Sequence, residues 1–145
     1  MAHASPPNHL AREVLPNLDE IGVWIAECHN FLTARQIADG VIYKVDLINE
    51  ELLTNTIKYG YRDRSNRQED RIQCDLDLYE QHLKLSYIDH GGPFDPSCLP
   101  QSPSVDGIED RPVGGLGLVL VHEAAQAITY MRDDGTNITT VWVGL

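Results

Sequence analysis

Two stretches in the middle of the chain alternate apolar and polar side chains. Ile72-Gln73-Cys74-Asp75-Leu76-Asp77-Leu78 does so strictly, and Leu83-Lys84-Leu85-Ser86-Tyr87-Ile88-Asp89 follows before the Gly91-Gly92-Pro93 breaker. A period of two is the period of a strand with one buried face, so the chain must build a sheet that is covered on one side. The cover stands N-terminal to it. From Asn17 to Leu32 the apolar residues Leu18, Ile21, Ile25, Cys28 and Leu32 recur at three and four, which predicts an amphipathic helix capped by Asn17. A second helix is predicted from near Ala38 to about Tyr59, with the stripe Val41, Val45, Ile48, Leu52 and Tyr59, and Gly60 as its stop.

The remaining segments fit around this frame. Leu10 to Leu15 reads as a short edge strand ended by Pro16, and residues 1–9 read as a flexible arm rather than a signal peptide. Tyr61 to Asp70 is polar and reads as a loop, as does the stretch from Pro93 to Pro112, which holds five prolines and no sustained period. A third helix is expected to open after Gly114-Gly115-Leu116-Gly117 and to run to about Ala125; being apolar nearly all round, it should be buried. Ala127 to Asp133 and Asn137 to Val143 should close the chain as a hairpin turning at Asp134-Gly135. The expected class is α+β, a two-layer sandwich with a mostly antiparallel sheet and helices on one face, in a single domain over 10–145.

Charge and cysteine usage narrow the function. The 145 residues carry 22 acidic against 11 basic side chains, a net charge of -11, which argues against nucleic acid as a direct partner. The nearest basic cluster, Arg62, Arg64, Arg67 and Arg71, is diluted by Asp63, Glu69 and Asp70 and reads as a solvated loop. Cys28, Cys74 and Cys98 are three and widely spaced, so neither a disulfide framework nor a zinc site is expected, and a reducing cytoplasm is the simple reading. No run approaches the roughly 18 apolar residues of a membrane span.

Three places combine residue types that chemistry uses. On the second helix Glu51 and Asn55 lie one turn apart at the edge of the apolar stripe, Lys58 continues that edge, and Glu50 points nearly the opposite way. A carboxylate, an amide oxygen and an amine in one row suit a hydrated metal ion and phosphates, although a surface hydrogen-bonded pair would use the same residues. Asp89 ends a strand just before Gly91, where it is either a turn residue or an acceptor for an amino group. Gly114-Gly115-Leu116-Gly117 at a helix start lets phosphate approach backbone N–H groups at the positive end of the helix. It matches neither the dinucleotide fingerprint nor a P-loop.

In order these read Glu51-x-x-x-Asn55-x-x-Lys58, then Asp89-x-Gly91-x-Pro93-Phe94-Asp95-Pro96, then Arg111-Pro112-x-Gly114-Gly115-Leu116-Gly117-Leu118. The set resembles the N box and the two glycine boxes of the GHKL (Bergerat-fold) ATPases, which include histidine kinases, Hsp90, type II topoisomerases and MutL. The Pro-Phe-Asp-Pro and Arg-Pro-x-Gly-Gly-Leu-Gly-Leu forms resemble the anti-sigma-factor serine/threonine kinase branch, and the likeness extends from Leu10 onward. Tyr59 departs from it, since many relatives carry His there.

The resemblance implies roles. Asn55 would bind Mg²⁺ bridging the phosphates of ATP or ADP, and Glu51 would be the general base toward the acceptor hydroxyl. Asp89 would accept from the adenine amino group, with Gly91 making room for the ring. Gly115 and Gly117 would offer N–H groups to phosphate, within a binding set that also takes in Lys58, Pro93, Phe94, Gly114, Leu116 and Leu118. Arg111, late in a lid over Pro96 to Val113, would stabilise charge at the γ-phosphate. A Thr near the last strand often completes the adenine pocket, and spacing does not choose between Thr136 and Thr140. The implied protein is a cytoplasmic protein serine/threonine kinase in transcription regulation. It would phosphorylate a STAS-domain anti-anti-sigma factor and sequester a sigma factor, with a homodimer left open. The alternatives are a non-catalytic ATP-binding partner-switch subunit and a detached histidine-kinase catalytic domain. The second is disfavoured because no dimerisation helix with a phosphoacceptor His precedes Glu51.

Overall fold

The computed structural model describes residues 8–61, 70–99 and 115–145. Among them the order is β1 (His9–Val14), α1 (Leu18–Ala34), α2 (Asp39–Asn55), a π-helical turn (Thr56–Gly60), β2 (Ile72–Leu78), β3 (His82–Asp89), α3 (Gly115–Ala124), β4 (Ala127–Asp133) and β5 (Thr136–Gly144). The strands form one sheet in the order β1-β2-β3-β5-β4, and every neighbouring pair is antiparallel. The helices cover one face, as the alternation of β2 and β3 requires.

The pleat sorts the side chains. Ile72, Cys74 and Leu76 of β2, Leu83, Leu85 and Tyr87 of β3, and Val141 and Val143 of β5 are buried, while Asp75, Asp77, Lys84 and Ser86 sit on the opposite face. Each fully buried Leu, Ile or Val contributes about 1.5–3 kcal/mol relative to leaving it in water. Val41, Val45, Ile48 and Leu52 of α2 form the expected stripe, and α2 contacts both α1 and α3.

α1 is rotated slightly from the expected stripe. Its buried residues are Ile21, Trp24, Cys28 and Leu32, whereas Leu18 is 68% exposed. The indole accounts for this: Trp24 Nε1 donates to Asn49 Oδ1 on α2 at 3.1 Å, and Tyr87 OH on β3 donates to the same oxygen at 2.5 Å. Asn49 thus pairs the polar tips of two buried aromatic residues, which would otherwise be stranded in the core. Asn17 caps α1 as expected, its side chain accepting from Glu20 N at 2.9 Å.

Three further expectations change. The arm read over 1–9 overlaps β1, which starts at His9, and residues 1–7 lie outside the described residues. The second helix does not run unbroken to Tyr59, because its last turn widens into the π turn. α3 is not buried all round: Leu118 and Val121 are in the core, but Leu116 is 74% exposed and Leu120 46%. A single helix laid on α2 buries one side only, and no described residue covers the other. The closing hairpin turns where expected, with positive φ at Asp134 (47°) and Gly135 (77°), as a two-residue type I′ turn demands.

Candidate functional site

The last turn of α2, the end of β3 and the middle of β5 converge on one pocket. It is a narrow pocket, partly open to solvent. Leu52, Thr56 and Gly60 wall one side, Tyr87 and Asp89 form the floor from β3, and Gly92, Phe94 and Pro96 come from the segment that follows. β5 contributes Asn137 and Thr139.

Asp89 is 5% exposed and is held on one oxygen. Asn137 Nδ2 and Gly91 N each donate to its Oδ1 at 2.9 Å. Burial pushes its carboxyl above the usual aspartate range, and the bonds from Asn137 and Gly91 pull it part of the way back.

Gly91 does not line the pocket. A Cβ there would lie 2.8 Å from Gly60 O and 3.0 Å from Gly60 Cα, and Gly92 N donates to Gly60 O at 2.8 Å. Its side-chain-free backbone therefore lets the first glycine segment dock on the end of the π turn, a different reason from making room for a ring. Pro93 is exposed, and Phe94 faces the pocket while stacking on Tyr59 with centroids 4.8 Å apart.

Glu51 and Asn55 stand one turn apart on α2, each preceding a residue of the pocket wall, Leu52 and Thr56, while neither lines the pocket itself. Asn55 is 2% exposed, and among the described residues its Nδ2 has no hydrogen-bond partner. Glu51 is half-buried, and its carboxylate abuts Gly117 in the first turn of α3, so that a Cβ on Gly117 would collide with Oε2. Lys58 would align with this pair on an unbroken α-helix; the wider π turn leaves it exposed.

The second glycine segment is described only from Gly115, where α3 begins. Leu116 is exposed and Leu118 is buried in the core. His122 Nε2 donates to Pro96 O at 2.8 Å, which ties α3 to the segment after β3. Gly114, Arg111 and the lid beyond Leu99 lie outside the described residues, as do Arg62, Arg64 and Arg67.

Neither candidate threonine faces the pocket. The register pairs Asp89 with Asn137, Tyr87 with Thr139 and Leu85 with Val141, so the inward residues of β5 are odd-numbered. Thr136 and Thr140 turn to the opposite face, and Thr136 Oγ1 lies 3.2 Å from His90 Nδ1. Thr139 lines the pocket instead, beside Asn137. The sequence held a signal for this: Val141 and Val143 mark the core parity, and counting back in twos reaches Thr139 and Asn137.

Known proteins share this architecture. A family model for the histidine kinase-like ATPase domain matches residues 14–142. The serine/threonine-protein kinase BtrW of Bordetella bronchiseptica is 25% identical over 99 residues, 68% of this chain and 68% of that protein. In structure, the chain is similar to the RsbU and RsbW domains of a Mycobacterium tuberculosis protein, with a TM-score of 0.67 at 14% identity over 97% of this chain. It spans only 34% of that longer protein. A component of the SiaB–SiaC complex from Pseudomonas aeruginosa has a TM-score of 0.62 at 13% identity, covering 94% of this chain and 89% of its own. These two show the shared fold. No helix among the described residues is long and apolar enough to cross a membrane. With the match running from the end of β1 into β5, and a pocket between helices and sheet, the chain belongs to the histidine kinase-like (GHKL) ATPase domain family, a nucleotide-binding domain.

Proposed function

We propose that the protein is an ATP-dependent serine/threonine kinase that acts as an anti-sigma regulatory factor. It phosphorylates a STAS-domain anti-anti-sigma protein and sequesters a sigma factor. One observation carries the reading: a half-buried carboxylate, Glu51, sits against the first turn of α3 and one turn from the buried Asn55, and their neighbours in sequence, Leu52 and Thr56, wall a pocket floored by Asp89. Relatives named as a serine/threonine kinase and an RsbW domain support it, and the SiaB–SiaC complex places a protein of this fold beside a partner.

In this reading adenine enters the pocket with its amino group toward Asp89, beside Thr139 and Phe94. The phosphates lie toward α3, where Gly115 and Gly117 offer backbone N–H groups at the positive end of the helix. Glu51 takes the proton of the acceptor hydroxyl as that oxygen bonds the γ-phosphorus and ADP departs. Asn55 would meet a magnesium ion through its amide oxygen, since oxygen donors are what this ion prefers, while its buried, unpaired Nδ2 can only donate, as to a phosphate oxygen or a coordinated water. The ion would neutralise phosphate charge. Lys58 and Arg111 are left to the phosphates, and Arg111 to the transferring group.

The test is incubation with radiolabelled ATP and candidate STAS-domain proteins from the same organism, each in turn. Label should pass to a Ser or Thr of one of them in the wild type and not in Glu51→Gln. Transfer by neither, with ATP bound by both, would instead make the chain a non-catalytic partner-switch subunit.

A further inference from the structure

Asn137 has more hydrogen bonds than its place in the pocket wall requires. Its Nδ2 donates to Asp89 Oδ1 at 2.9 Å, to Gly92 O at 3.1 Å and to Gly91 O at 3.2 Å. Its Oδ1 accepts from Tyr130 OH at 2.5 Å and from Arg132 Nη1 at 2.8 Å. The same Arg132 nitrogen donates to Gly91 O at 3.0 Å.

The chemistry of the partners sets the direction of the amide. A guanidinium can only donate, and backbone carbonyls can only accept. Turning the amide over would put N–H against Arg132 and a carbonyl oxygen against two carbonyls and a carboxylate. Tyr130 and Arg132 therefore lock Asn137 with its NH₂ toward Asp89. With Asn137 and Gly91 both on Oδ1, Oδ2 of Asp89 takes no bond from any described residue and is the oxygen left to a ligand.

We propose that Tyr130, Arg132 and Asn137 act as positioning residues that hold Asp89 as an acceptor aimed by its second oxygen, and so set selectivity for adenine over other purines. The inference rests on the adenine pocket proposed above. Neither Tyr130 nor Arg132 lines the pocket; both stand on the edge strand β4, on the same face as Asn137 and Thr139 through the pairings Arg132 with Asn137 and Tyr130 with Thr139. Were Asn137 free to turn, its carbonyl would face Asp89. The carboxylate would then swing away or give up its open oxygen.

The experiment is calorimetric titration with ADP and with purine riboside diphosphate, which lacks only the 6-amino group, on wild type and on Tyr130→Phe/Arg132→Met. This double variant removes both donors to Asn137 Oδ1 at partly exposed positions, whereas Asn137→Ala strands buried carbonyls and risks the fold. Wild type should prefer ADP by at least about tenfold, the worth of a hydrogen bond to a charged group. The double variant should lose most of that preference, and Arg132→Lys, which keeps a donor, should retain it. If both affinities fall together with the preference intact, the residues are merely structural and the proposal is overturned. An unchanged preference overturns it equally, while the pocket reading stands. A wild type that binds ADP without preferring it overturns the adenine pocket itself, and the proposal with it.

Discussion

The carboxylate of Glu51 and the backbone of Gly117 meet at the junction of α2 and α3, so closely that a β-carbon on Gly117 would overlap Oε2. Glycine costs a helix about 1 kcal/mol relative to alanine, so its presence inside α3 needs a reason. The reason is this contact: it seats an acidic side chain in the first turn of a helix, where the aligned peptide dipoles favour negative charge. Both groups are then placed at the end of the helix proposed to face phosphate.

Gly117→Ala should separate helix stability from chemistry. Alanine favours the helix, so the melting temperature should hold, while the methyl group drives Glu51 from its seat. Displacing a base by about 1 Å costs on the order of 10² in rate. Single-turnover transfer should fall by about that factor with a thermal melt like wild type. Wild-type transfer would mean that Glu51 acts from elsewhere.

Glu51→Gln keeps shape and hydrogen bonding but loses the charge that accepts a proton. Transfer should fall on the order of 10²–10⁴, while nucleotide affinity stays within about tenfold, roughly 1.4 kcal/mol. Glu50→Gln is the control, since Glu50 is exposed on α2. Quench-flow at saturating ATP reads both. Failure of the Glu50 variant instead would reassign the base.

Asp89→Asn should abolish purine discrimination without harming the fold. Burial raises the carboxyl above its ordinary unfolded value, so the folded state penalises the charged form. The stability that Asp89 contributes is full below that value and is lost as pH rises through the raised folded value. At neutral pH the variant, whose side-chain oxygen still accepts from Gly91 and Asn137, should melt at or above the wild-type temperature. Its ADP affinity should drop by about tenfold to a hundredfold. Wild-type ADP binding should weaken on acidification at a pH above the ordinary aspartate range, and the variant's should not follow. A marked loss of stability at neutral pH would contradict this account.

Thr139→Val should weaken ADP binding by about fivefold, near 1 kcal/mol for one hydroxyl, with shape preserved. Thr136→Val and Thr140→Val, on the opposite face of β5, should leave it within about twofold. Calorimetry on the three variants decides whether the inward parity of β5 governs the pocket; an effect confined to Thr140 would refute it.

Much of this architecture follows from local pattern. The alternation through Ile72–Leu78 required a one-faced sheet, the spacing of Val41, Val45, Ile48 and Leu52 required a covering helix, and Asp134-Gly135 required a tight hairpin. Glu51, Asn55 and Asp89 stood out because polar groups beside an apolar stripe or at a strand end need partners. The errors lie where a local rule met a tertiary contact. Trp24 displaced Leu18 from the buried face of α1 because Asn49 supplied its indole with an acceptor.

What the sequence determined alone, then, was element type, the buried face of each strand and the short list of polar groups with no business in a core. These depend on periods of two and 3.6 and on turn chemistry, all set within a few residues. Only the tertiary structure decided which of those groups meet. Glu51 reaches Gly117, Gly91 docks on Gly60, and Tyr130 and Arg132 bond the Asn137 that in turn bonds Asp89, because the β1-β2-β3-β5-β4 order lays β5 between β3 and β4. Strand order and helix packing are chosen by the burial of the whole apolar surface, a sum over the chain that no single segment carries.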